Sequence, residues 1–381
     1  MLTVFWQFLV LGLCSFGGPA AHIGYFQQAF VVKNKWLNDE DFTQAIALCQ
    51  FLPGPASSQL GMYIGYKKAG YQGSIAAFIG FTLPSFMLLT FLAVANNQFS
   101  DSIVVEHIIT AAKLLAVVVV ADALWGMIKK NLISIPTITT ALLTMIWLMM
   151  SHGLLGQILP IIIASIAGFL WSFKTQPTID QSLIKPIRPH IGLLAVFFGL
   201  LLVLPLIAAT NDSIKLFGIF YQAGSFVFGG GHVVLPLLQP MLDGMVSDNT
   251  FLSAYASAQL VPGPMFTMAS YLGASAIPQM PIIGSLIATI AVFLPGSLLL
   301  FSFLPAWKAL FSHPRLTQAI ILINACVVGL LGSAFIDPVI TSSISSIFDI
   351  IAVAFGYILI KYYRCPVWLL AILLFIFVLV I

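Results

Sequence analysis

The chain has 381 residues, of which 60% are hydrophobic and 7% charged, with a formal net charge of +3 and a mean hydropathy of +1.06. Soluble domains carry roughly 25% charged residues, so this composition excludes a hydrated globule and a basic nucleic-acid surface, and it requires a bilayer. Cys14, Cys49, Cys326 and Cys365 show no CxxC or metal-ligand spacing, and neither a metal nor a cofactor is expected.

Taken in order, residues 2–16 form an apolar helix that Gly17, Gly18 and Pro19 interrupt. No basic n-region or small-residue cleavage site marks this run as a signal peptide. Residues 20–32 continue as a short helix with His22 in its first turn. A polar loop at 33–39 precedes a second short helix, 40–52, which ends at Pro53-Gly54-Pro55 with Gln50 just before it; residues 56–68 make the next. Longer apolar runs follow at 71–95 (with Pro84 inside), 103–127, 132–150 and 155–173, each able to span a hydrocarbon core of about 30 Å. Residues 175–189 are polar and Pro-rich and read as a linker, and 191–209 is one more span.

The sequence then begins again. Gly17 matches Gly229 at an offset of 212, Gln50 matches Gln259 at 209, Pro84 matches Pro295 at 211, and Lys113 matches Asn324 at 211. Offsets this constant mark an internal duplication, with Val227-Phe228-Gly229-Gly230-Gly231-His232 and Pro262-Gly263-Pro264 repeating the two early breaks. The expected organisation is an N-terminal repeat at 1–174, a linker with a connecting transmembrane helix at 175–212, and an inverted C-terminal repeat at 213–381.

Counting each broken pair once gives thirteen apolar segments. If all thirteen cross, Lys33, Lys35 and Lys215 fall outside, against the preference of Lys and Arg for cytoplasmic loops. If the four broken segments are re-entrant hairpins, nine spans remain and thirteen of the fifteen Lys and Arg lie inside, while Asp101, Asp212, Asp243, Asp248 and Asp337 lie outside. We favour an all-α polytopic membrane protein with an inverted-topology internal repeat, nine spans and four hairpins, with thirteen spans as the alternative. Either way an odd number of crossings precedes the second copy.

Backbone that leaves helical geometry at membrane depth lines a cavity or is buried in protein. Each helix that restarts after a break offers unpaired N–H groups and the positive end of its dipole, an anion site. Gly17, Gly18, Gly54, Gly229, Gly230, Gly231 and Gly263 therefore read as a backbone cradle for a small oxyanion, shaped by Pro19, Pro53, Pro55, Pro262 and Pro264. Gln50 and Gln259 add neutral donors, and His22 and His232 lie just past the glycines. A single Gly-Gly-Pro break is as well explained by a kink; four breaks at duplicated positions favour a site. Lys113, inside a span, either balances a dianion or forms a structural ion pair, and Asn324 stands at its matched position. No nucleophile–base set, Walker A or HExxH pattern occurs, so the chain is not read as an enzyme, and uphill transport needs an ion gradient or the membrane potential.

Ser15-Phe-Gly-Gly-Pro-Ala-Ala-His-Ile-Gly-Tyr-Phe26, Leu48-Cys-Gln-Phe-Leu-Pro-Gly-Pro-Ala-Ser-Ser-Gln-Leu-Gly61 and Gly80-Phe-Thr-Leu-Pro-Ser85 resemble the chromate transporter family. So do Val227-Phe-Gly-Gly-Gly-His-Val-Val-Leu-Pro236, Ala258-Gln-Leu-Val-Pro-Gly-Pro264 and Asn324-Ala-Cys-Val-Val-Gly-Leu-Leu331. The likeness covers both halves, as in the long two-domain form of that family. It implies efflux of chromate, with a link to the similarly shaped sulfate, across the bacterial inner membrane, conferring chromate resistance. A passive oxyanion channel is the alternative. Beside the oxyanion and membrane lipid, the expected partners are a coupling ion (a proton or counter-anion) and a second copy in a homodimer; no nucleic acid is expected.

Overall fold

The computed structural model describes residues 1–16, 18–98, 103–151, 154–170, 189–208, 211–228, 234–306 and 314–380, and among them every regular element is a helix. Among the described residues, four helical stretches are long and apolar enough to cross a bilayer: Ala56–Asn96, His107–Asn131, Pro281–Phe303 and Arg315–Ser343. Shorter apolar helices accompany them, and large apolar side chains such as Leu143, Met150, Leu202 and Leu206 stay exposed on the outside of the bundle. The chain is an all-α, multi-pass membrane protein.

Helix α1 (Leu2–Cys14) ends at Ser15, and α2 (Gly18–Phe26) runs on through a π-helical turn to Lys33. The chain folds back between them. Phe8 of α1 stacks on Phe30 at 4.8 Å, and Asn34 Nδ2 donates to Gln7 Oε1 at 3.4 Å. A straight passage from residue 7 to residue 34 would separate them by about 40 Å. The second break behaves alike. Helix α3 (Asp39–Phe51) starts on an Asn38 cap that accepts from the Asp41 N–H. It stops at Leu52, which Pro53 forces into extended geometry. After the tip, α4 (Ala56–Gln98) begins, and Lys67 returns to within 4.0 Å of Asp41.

Helix α4 is two arms, 56–68 and 71–98, joined by a reversal at Ala69 and Gly70, where Gly70 takes φ +63°. The arms pack so closely that a Cβ on Gly65 would strike the Gly73 carbonyl. The 71–98 arm also receives α1, whose Gly12 lies on the Phe81 carbonyl. In the second half α9 (Asp212–Phe226), α10 (Val234–Leu238), α11 (Asp248–Leu260), α12 (Met268–Ala276) and α13 (Pro281–Phe303) repeat this assembly. Gly224 lies on the Val292 carbonyl as Gly12 does on Phe81, and Gly273 meets Gly284 as Gly65 meets Gly73.

The remaining helices are exchanged between halves. Helix α5 (Ile103–Asn131) packs against α15 (Ile347–Tyr363) and α16 (Val367–Val380) of the second half. Helix α14 (Pro314–Ala334) packs against α6 (Ile135–Met150) and α7 (Leu154–Leu170) of the first. A 2.9 Å bond from Lys361 Nζ to Asp122 Oδ1 ties α15 to α5 across the halves. Helix α8 (Ile191–Ile207) lies on α9 and α13.

The hairpins approach each other from opposite ends of α13. Helix α12 lies on its beginning, where Ser285 Oγ donates to Ser270 O at 2.7 Å. The 56–68 arm lies on its end, where Tyr66 meets Phe301 at 5.6 Å. Ser285 and Phe301 are about 24 Å apart along the helix, so the two Pro-Gly-Pro tips come together between the two bases.

Candidate functional site

The tips cross. The Gly54 N–H donates to the Val227 carbonyl at 2.7 Å, and the Gly263 N–H donates to the Ser15 carbonyl at 2.9 Å. These bonds are equivalents of one another under the repeat, so each half's second tip is held by the other half's first break. The geometry has a local cause. Ser15 and Val227 close α1 and α9 in extended conformation (φ −87°, ψ 99° and φ −78°, ψ 120°), which turns their carbonyls off the helix axis. Gly54 and Gly263 adopt φ +114° and +108°, which only glycine takes without strain.

Neither tip leaves room for a side chain. A Cβ on Gly54 would lie 2.9 Å from the Gly296 Cα, and one on Gly263 would lie 2.9 Å from Ser85 Oγ. Ser85 and Gly296 are matched positions one residue beyond Pro84 and Pro295. Gln59 adds a clamp that sequence reasoning missed: its Nε2 donates to Pro53 O at 3.1 Å and to Gly296 O at 2.9 Å. Both acceptors are carbonyls, so the amide nitrogen ties the first half's tip to α13 of the second.

Around this crossing lie buried polar groups without hydrogen-bond partners among the described residues: Ser15 Oγ, both ring nitrogens of His22, Ser58 Oγ, Gln59 Oε1, Thr82 Oγ1 and Thr289 Oγ1. His22 is fully buried, edge-on to Phe81 at 5.2 Å, and lies beside the Ser15 backbone without closing a well-aligned bond. Buried polar groups are ordinarily paired, and leaving one unpaired costs about 1–3 kcal/mol. A cluster of hydroxyl, amide and imidazole groups in one place has the chemistry of a site for a polar ligand.

The other expected site residues are distributed as follows. Gly17, Gly229, Gly230, Gly231 and His232 lie outside the described residues. Gly18 takes φ +76° at the start of α2, and Pro19 is in that helix's first turn. Pro55 packs its Cδ toward Gly296. Pro262 precedes the second tip, and Pro264 O accepts from the Thr267 N–H at 3.0 Å. The matched glutamines differ: Gln50 is exposed on α3, whereas Gln259 is half-buried with Nε2 3.1 Å from Met265 Sδ. Lys113 lies in α5 within the field of Asp248 at the base of α11, and the far end of α11 carries the tip. Asn324 is half-buried in α14. Among the described residues, neither makes a hydrogen bond or ion pair to the crossed tips.

A cavity of about 1060 Å³ opens at the base of the second-half hairpin, lined by Asp243, Asp248, Asp337 and Gln239 among others. Three carboxylates make it a poor resting place for an anion, so the tips, and not this cavity, are the candidate binding site.

The family model described as Chromate transporter matches residues 2–209 and again 214–380. The chain belongs to the chromate transporter family. It is 28% identical to an uncharacterized transporter of Methanocaldococcus jannaschii over 87% of this chain and 82% of that one. It is 27% identical to a probable chromate transport protein of Synechococcus elongatus (86% and 82%). A chromate transport protein of Cupriavidus metallidurans is 26% identical (78% and 72%). No solved structure matches the chain.

Proposed function

We propose that this family member is a secondary transporter that exports chromate, or a related tetrahedral oxyanion such as sulfate, from the bacterial cytoplasm across the inner membrane by alternating access, and so confers chromate resistance. The observation that carries the reading is the cluster of unpartnered buried polar groups where two oppositely directed hairpins meet. Hydroxyls and an imidazole N–H donate to an oxyanion without burying a full countercharge, while Gln59, whose Nε2 is committed to the Pro53 and Gly296 carbonyls, holds the tip in place. The names of the Synechococcus and Cupriavidus relatives support chromate as the ion. Inverted, broken helices meeting near mid-depth are how secondary transporters expose one site to either side. Export of a dianion from a negative interior releases about 4.6 kcal/mol per 100 mV, and a proton or counter-anion is the coupling ion.

Counterflow of radiolabelled chromate and sulfate in proteoliposomes tests this, with and without imposed pH and potential gradients. Accumulation of one of these ions against its gradient is the expected result. Flux that only dissipates gradients would identify a channel, and absence of flux for both ions would reject the oxyanion reading. Single cysteines at positions 34 and 244 are expected to label from opposite membrane faces; labelling from the same face would overturn the inverted arrangement.

A further inference from the structure

The duplicated halves are not equal at the crossing. In the second half Phe266, in the first turn after its Pro-Gly-Pro tip, packs on Phe293 of α13 with ring centroids 6.1 Å apart. The matched positions in the first half, at the repeat offsets of 209 and 211, are Ser57 and Thr82. The antiparallel register of the two α4 arms agrees: Gly65 meets Gly73 and Ala77, and two turns farther toward the tip brings Ser57 and Ser58 level with Thr82. Where one half closes its tip with two phenyl rings, the other presents hydroxyls.

A third hydroxyl comes from α13. That helix runs antiparallel to the 71–98 arm, with Tyr71 on Phe301 at 5.2 Å and Phe78 on Phe293 at 5.1 Å. One turn along each helix from the Phe78–Phe293 pair, the same register sets Thr82 opposite Thr289. Ser58, Thr82 and Thr289 are 3%, 4% and 5% exposed, and each has an unpartnered hydroxyl oxygen. Beside them α4 begins. Its first intrahelical bond is Gln59 N–H to Pro55 O at 2.9 Å, so the N–H groups of Ala56, Ser57 and Ser58 have no acceptor within the helix.

We infer that an oxyanion site lies on the first-half side of the crossing, formed by the opening turn of α4 with the hydroxyls of Ser58, Thr82 and Thr289, while the equivalent position in the second half is closed by Phe266 and Phe293. This rests on the oxyanion-transporter reading and locates its ligand. The helix start supplies N–H groups and a positive dipole end. The Thr82 and Thr289 hydroxyls donate from the second arm of α4 and from α13, one in each half, so a bound ion bridges the halves that alternating access must move. Ser57-Ser58-Gln59 against Phe266-Thr267-Met268 is the sequence trace of this division.

Equilibrium dialysis of the purified full-length protein against radiolabelled chromate and sulfate tests it. Thr82→Val and Ser58→Ala are each expected to weaken binding about tenfold or more, and the double variant to abolish it. Thr82→Ser, which keeps the hydroxyl, is expected to bind within about twofold of wild type, as is Phe266→Leu on the closed side. Gel filtration and thermal unfolding confirm that the variants are folded. Wild-type affinity in the folded double variant would overturn the assignment, as would equal weakening by Phe266→Leu. A wild-type protein that neither binds nor exchanges chromate or sulfate would instead overturn the transporter reading itself.

Discussion

Gly54→Leu is expected to abolish oxyanion exchange while the protein still inserts and purifies in near wild-type amount. Two effects act together. At φ +114° an L-residue is strained, at a typical cost of about 1–3 kcal/mol. The first side-chain atom also meets the Gly296 Cα at 2.9 Å. That atom is backbone of the opposite half, which no rotamer change can move aside. The tip must therefore withdraw, and with it goes the Gly54 N–H bond to Val227. Gly263→Leu suffers the same strain, but its nearest obstacle at 2.9 Å is the Ser85 hydroxyl, which can rotate, with the Ser85 Cβ behind it at 3.2 Å. Alanine substitutions should separate the two, with Gly54→Ala losing more exchange than Gly263→Ala. Gly126→Ala is the control, since nothing lies within 4 Å of a Cβ there and it is expected to exchange at the wild-type rate. Counterflow normalised to reconstituted protein is the measurement, and a wild-type rate for Gly54→Leu would remove the tips from the mechanism.

The tips were legible in the sequence because their chemistry is written in residue types. Glycine at positive φ and proline beside it have few substitutes, so both copies kept them and the offset between Gly54 and Gly263 exposed the duplication. What the tips bind to was not legible. The acceptors are backbone carbonyls, and a carbonyl belongs to every residue. Ser15 and Val227 share a role and no side-chain chemistry. Gln59 escaped notice for a related reason: its matched residue is Met268, so a search for features common to both halves passes over it. The polar run Ser57-Ser58-Gln59 in the first turn of an apolar membrane protein was the available signal. Gln50 and Gln259 show the reverse, alike in sequence and different in surroundings. The charge asymmetry read from the loops has its counterpart in two hairpins lying at opposite ends of α13. The exchange of α5 and α14 between halves left no mark, because an apolar helix face does not say which apolar partner it meets.

That exchange makes separate halves unable to stand alone. Residues 1–180 and 181–381, expressed individually, are each expected to be degraded or to aggregate in the membrane; expressed together, they are expected to co-purify and recover exchange. The cause is not hydrophobic exposure, since lipid is as apolar as the faces of α5 and α14 that would be uncovered. Close packing is lost instead, as at Gly329, which lies against Ala141 and Thr144, and at Gly168, which lies against Ala319. The heavier loss is at the crossing. A first half alone leaves the Gly54 N–H and the Ser15 carbonyl without acceptor and donor, and it removes one of the two carbonyls that Gln59 Nε2 serves. In hydrocarbon each such group costs several kcal/mol, against a total stability of about 5–15 kcal/mol for an ordinary domain. Blue-native gels and pulse-chase of tagged halves give the readout. A 1–180 fragment that purified as a stable, monodisperse monomer would show that its tip closes on itself, and the reciprocal bonds between halves would then be a feature of packing and not a condition of the fold.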